Sequence, residues 1–113
     1  MNKNSWQQKE FAFLIKIARL NKGLTQAKVA SFAKVNPTYY NKLEKAKTIY
    51  PPAEKVLERF AEILDLDLNN LLIVCSKMPR SQFAIFRKHY DKLFPLLEKI
   101  DKDPMFADRI FNL

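Results

Sequence analysis

The chain has 113 residues, 48% of them apolar and 28% charged, with a net charge of +8; this is enough for one small domain and an extension, with the balance of a soluble globular protein. Its longest unbroken apolar runs, Phe11 to Ile15 and Leu71 to Cys75, are five residues each, far short of the ~20 that cross a bilayer. No charged start leads into an apolar stretch with a small-residue cleavage site, so neither membrane insertion nor secretion is expected. The single cysteine excludes an intramolecular disulfide and fits a cytoplasmic location, and Cys75 reads as inert core packing.

The positive charge is concentrated. From Lys16 to Tyr50 eight Lys or Arg face one acid, a net +7, whereas Pro51 to Lys77 carries three bases against five acids, a net −2. Lysines that merely solubilise a surface would not segregate in this way, and a polyanionic partner is the natural reading.

Taken in order, residues 1–10 are polar and expected to fray, except that Trp6 can cap the edge of a core or meet a second subunit. A first helix is expected over Lys9 to Asn21, with Phe11, Leu14, Ile15 and Ala18 forming an apolar stripe, and Ile17 at its edge. Gly23, the only glycine, falls just past its end, where a left-handed cap is often needed. Thr25 to Glu44 then reads as two short helices joined by a tight turn. Thr25 is an N-cap ahead of Val29, Ala30 and Ala33, and Asn36 is a second N-cap with Pro37 at the first helical position. At about 100° per residue, the second of these helices turns Tyr40 and Leu43 to one side. Thr38, Asn41, Lys42 and Lys45 fall on the other, which suits a helix that packs on a domain and offers polar groups to base edges.

This run resembles the helix-turn-helix of the phage repressor and Cro-type (XRE-like) family. Gln26 opens the first helix, Ala30 is the small contact residue, Val35 sits in the turn, Tyr40 and Leu43 stand at core positions, and Glu44 is the acid near the helix end. The likeness extends from about Phe11 to Leu72. The resemblance implies an all-α, five-helix repressor-like domain, set here at residues 1–77; the C-terminal helical extension over 78–113 follows a break at Met78-Pro79-Arg80 and is read from its own residues. The resemblance also implies an ion pair between Arg19 and Glu44 that ties the first helix to the recognition helix. Three positions depart from the family pattern: Lys34 and Ala46 replace turn glycines, and Lys28 stands where an acid is usual.

The contacts sort by chemistry. Asn36, Thr38, Asn41 and Lys42 are expected to face the groove, with direct readout resting mainly on Thr38 and Lys42: lysine suits guanine, asparagine adenine and a threonine methyl thymine. Gln26, at a helix start, suits a phosphate oxygen, a role the resemblance also implies. Lys28, Tyr39, Lys45, Lys47 and Thr48 complete the expected phosphate contacts, with Tyr39 able alternatively to pack on Tyr50.

A fourth helix is expected from Pro52 or Ala53 to Leu64, and a fifth is capped by Asp67. In the extension Ser81 reads as an N-cap. Phe83, Phe86, Tyr90, Leu93, Leu97 and Ile100 recur at spacings of three and four, the seam of a helix that pairs with another. Pro95 is expected to kink it or to mark where two helices meet, and Asp103-Pro104 to start a last helix carrying Phe106, Ile110, Phe111 and Leu113. The seam is read as a homodimer or partner-protein interface, the alternative being that it folds back on its own domain. Catalysis finds no support: His89 is the only histidine, the cysteines and histidines of a zinc site are missing, there is no glycine-rich phosphate loop, and nothing calls for a cofactor. The expected function is a sequence-specific, repressor-like transcriptional regulator that binds double-stranded DNA. The alternative is a protein-interaction module of the same fold, antitoxin-like or regulator-binding, with DNA contact secondary or lost. RNA binding ranks third, since no stacking platform is expected.

Overall fold

A computed structural model describes residues 6–112, and these contain seven helices and no strand: α1 (Gln8–Asn21), α2 (Gln26–Ala33), α3 (Pro37–Glu44), α4 (Glu54–Leu64), α5 (Leu68–Val74), α6 (Arg80–Lys102) and α7 (Pro104–Phe111). They form two compact units, one ending at Met78 and the other starting at Pro79. Of the residues expected to fray, the first five lie outside the described range, as does Leu113. Trp6 to Glu10 do not fray: Gln7 N–H donates to the Val74 carbonyl at 2.8 Å and Trp6 is buried.

The first unit is built by α1–α5 around one core of Phe11, Ile15, Val29, Ala30, Tyr40, Leu43, Leu57, Phe60, Leu64, Leu71 and Leu72. A row of four aromatic rings runs through it. Trp6 meets Phe11 edge-on at 5.8 Å, Phe11 lies 6.4 Å from Phe60, and Phe60 meets Tyr40 edge-on at 5.6 Å. Such offset pairs add about 0.5–1.5 kcal/mol each to the burial of their area, and here they anchor α3 through Tyr40. Cys75 is 1% exposed and burial pushes its thiol up to about 12, so it is packing rather than a reactive group.

The helix ends explain how so short a chain turns so often with one glycine. Each of α1–α5 is followed by a left-handed residue whose successor donates to the carbonyl five positions back. Gly23, Lys34, Ala46, Asp65 and Ser76 have φ between 55° and 66°, and Leu24, Val35, Lys47, Leu66 and Lys77 make the closing bonds at 2.7–3.0 Å. This is the Schellman arrangement, which satisfies the free carbonyls of a helix end. Lys34 and Ala46 therefore accept the left-handed conformation that glycine takes without cost. Ala46→Gly should stabilise the domain by about 1 kcal/mol, a rise of roughly 4–8 °C in Tm for a domain of this size; a thermal melt at neutral pH checks it.

The second unit is α6 packed with α7. Helix α6 begins at Arg80 after Pro79, so Ser81 lies within its first turn rather than capping it. The backbone leaves helical values at His89 (φ −126°, ψ 17°), and Pro95 sits inside the segment that follows. The interruption expected at Pro95 is thus taken six residues upstream. Proline obstructs the turn that precedes it, and the bend is absorbed ahead of that turn. Asp103 caps α7, accepting from the Phe106 N–H at 3.1 Å.

Candidate nucleic-acid interface

Local chemistry starts both helices of the motif. Thr25 Oγ1 accepts from the Lys28 N–H at 3.0 Å, and Asn36 Oδ1 from the Thr38 N–H at 2.7 Å, with Pro37 at the first position of α3. These bonds satisfy donors that a helix start leaves free. Tyr40 and Leu43 are buried beneath α3, while Thr38, Lys42 and Lys45 stand exposed and Tyr39 and Asn41 are half-buried.

A single chain of polar side chains holds α3 in place. Arg19 Nε donates to Glu44 Oε2 at 2.6 Å, its Nη2 to Glu44 Oε1 at 3.0 Å, and its Nη1 to the Leu24 carbonyl at 2.9 Å. Gln26 Nε2 also donates to Glu44 Oε1 at 2.9 Å, and Asn41 Nδ2 donates to Gln26 Oε1 at 2.9 Å. One network thereby joins α1, the turn after it, α2 and α3. The side chains of Arg19 and Glu44 are only 11% and 3% exposed. Burial alone would raise the Glu44 carboxyl; the hydrogen bonds from Arg19 and Gln26, with the Tyr40 phenol beside them, outweigh it and hold the group below its ordinary value of 4.5. Burial first, and then the Glu44 charge, push the Tyr40 hydroxyl well above the ordinary phenol value.

The structure sorts the expected contact residues into two sets. Thr38, Lys42, Lys45, Lys47 and Lys28 are exposed, and Asn36, also exposed, spends its side-chain oxygen on the cap. Gln26 is half-buried with both ends of its amide engaged, so the group expected at phosphate is turned inward to the ion pair. The Thr48 hydroxyl is buried without a hydrogen-bond partner among the described residues. Burial raises the Tyr39 pKa, its ring lying against the core near Cys75. Tyr39 also lines a shallow cleft of about 410 Å³ together with Lys42, Lys47, Ile49 and Tyr50.

Two residues outside the expected set shape this surface. The Trp6 indole N–H donates to the Ile49 carbonyl at 3.0 Å, and the Gln8 amide donates to the Thr48 carbonyl. Trp6, just before α1, and Gln8, its first residue, thus strap down the loop that follows α3, leaving Ile49 and Tyr50 58% and 73% exposed at its tip. An isolated tryptophan in a polar stretch was the only signal for this contact.

A model of the helix-turn-helix domain matches residues 13–73. The chain belongs to the helix-turn-helix domain family. Within this helix-turn-helix protein the matched span holds α2–α4, most of α1 and all but the last residue of α5, including Arg19, Glu44 and the whole polar network. The crystal structure of the clp gene regulator ClgR from Corynebacterium glutamicum is similar, with a TM-score of 0.53 and 21% identity over 81% of this chain and 90% of that one; at that identity the likeness speaks for the fold. No curated protein matches the chain. The family assignment points to a non-enzymatic regulator. No described helix is long and apolar enough to cross a membrane.

Proposed function

We propose that the protein is a sequence-specific, repressor-like transcriptional regulator that binds double-stranded DNA as a homodimer, with α3 in the major groove. The observation that carries this reading is the exposed face of Thr38, Lys42 and Lys45, on a helix locked to its scaffold by the Arg19–Glu44 pair and set in the segment of net charge +7. A groove reader needs this combination: polar side chains at base edges, cations for phosphates and a fixed helix axis. Similarity to a gene regulator adds support. Lys28 and Lys47 flank the face and supply phosphate contacts on either side.

Titration against random duplex DNA at several salt concentrations tests DNA binding itself, and a steep loss of affinity with salt is the expected result. Selection of bound genomic fragments then gives the operator. Against it, Lys42→Ala should relax preference at one base pair by about 1–3 kcal/mol, read from competition with single-position operator variants.

The second reading, a protein-interaction module, draws on the apolar loop tip and on the exposed aromatic side chains of α6 and α7. Absence of binding to any duplex at low salt would favour it.

A further inference from the structure

The hydrogen-bond order within the polar network has a consequence for which base α3 reads. A carboxylate only accepts, and Glu44 is held charged by Arg19 through both of its oxygens. Gln26, 2.9 Å from Glu44 Oε1, must therefore present its NH₂ to that oxygen. Its carbonyl oxygen is then the end that faces Asn41 at 2.9 Å, so Asn41 must in turn present its NH₂ to Gln26. An isolated asparagine amide can turn over and exchange donor for acceptor. Here three successive bonds, beginning at a fixed charge, leave one orientation.

Resting on the proposed reading of α3 as the groove helix, we infer that Gln26 is a positioning residue that sets the amide of Asn41 and makes Asn41 a reader of adenine. The Asn41 oxygen is left free to accept from an exocyclic amino group, and the second hydrogen on its nitrogen remains to donate. In the major groove adenine alone presents an N6 donor beside an N7 acceptor, the pair that an asparagine amide matches with two bonds. Lys42, next in sequence and exposed, can only donate and suits the O6 and N7 acceptors of guanine. Neighbouring side chains on one face thus ask for opposite chemistry, which distinguishes the two purines. Gln26 has one N–H outside these bonds, and its amide plane is fixed by the inward pair. This assigns it a different task from the phosphate contact that its place at a helix start implies.

The two tasks separate in one experiment. The full chain and its Gln26→Met, Asn41→Ala and double variants are titrated against an operator, its single-base variants and random duplex. If Gln26 positions Asn41, Gln26→Met and Asn41→Ala each lose discrimination at the same A·T pair, by roughly 5- to 150-fold. The double variant loses no more than Asn41→Ala alone, and the affinity for random duplex stays that of wild type. A uniform loss over all sequences, random duplex included, would make Gln26 a phosphate contact and overturn the inference. Unchanged preference in Asn41→Ala would overturn it as well. A wild type without any base preference would instead sink the proposed function. Gln26→Leu, with a melt that matches wild type, guards against reading misfolding as lost specificity.

Discussion

Arg19→Met is expected to cost the first unit about 3–5 kcal/mol, a large part of the 5–15 kcal/mol that holds a typical domain folded. The loss would come less from a missing attraction than from what stays behind. Glu44 is 3% exposed on its side chain, and without Arg19 its remaining hydrogen bond comes from the neutral amide of Gln26. A buried carboxylate left with one neutral partner pays a desolvation penalty that nothing repays. Replacing both members together should hurt much less: Arg19→Met with Glu44→Leu removes the charge along with its partner. Urea unfolding of wild type, the single and the double variants at pH 7 gives the comparison. A single-variant loss below 1 kcal/mol would mean that α3 is held by its apolar face alone.

The pH dependence adds a sign. In wild type the Glu44 carboxyl is held below 4.5 in the fold, so its contribution is present above that value and is lost as pH falls through the lower folded value. In Arg19→Met burial is opposed only by the neutral Gln26 amide and Tyr40 phenol, and the carboxyl is expected to rise above its ordinary value. That contribution is then intact at low pH and is lost as pH rises through the raised value. Acidification from pH 6 towards pH 4 should therefore weaken wild type and relieve the variant. Glu44→Gln should remove both slopes.

What could be read in the residues and what could not divides along sequence separation. Thr25, Asn36, Asp67 and Asp103 each sit two or three residues from the amides they cap, so composition and order were sufficient to place those helix starts. The left-handed ends at Lys34 and Ala46 were legible only through the resemblance, which has glycines at those turn positions. Side-chain partners far along the chain were not, apart from the Arg19–Glu44 pair, 25 residues apart, which the family resemblance supplied. That Gln26 spends its amide on Glu44 and Asn41, 18 and 15 residues away, depends on how α2 crosses α3, and the periodicity of neither helix encodes it. The strap from Trp6 to Ile49 spans 43 residues and left the same weak trace. In α6 the proline was visible, but the place where the backbone relieves it was not, since any of several preceding residues can absorb the bend.

Leu93→Asp in α6 is expected to give monomers and to lower operator affinity by at least ~100-fold, the low end of what joining two half-sites contributes. The second unit has a bare inventory: 35 residues and two helices, with no fully buried side chain among the described residues. Chains below about 40 residues seldom hold a core without help. Phe86, Leu93 and Ile100 are half-buried in the described structure, while Phe83, Tyr90 and Leu97 of the same seam are about half exposed. Phe94, outside the seam, joins Phe86 at 5.4 Å and Tyr90 at 5.9 Å to widen the aromatic surface. A second copy covering this face would remove it from water and place two recognition helices on one duplex, as a two-fold operator requires. Aspartate at position 93 puts a charge where the proposed interface excludes water, while α6 itself, amphipathic over most of its length, tolerates it. Phe86→Asp should act in the same direction from one turn beyond the His89 break. Sedimentation velocity on both variants measures the oligomer and an operator titration measures the affinity. A dimer that survives both substitutions would move the two-fold contact away from α6, and monomers that keep full operator affinity would show that each recognition helix binds without its partner.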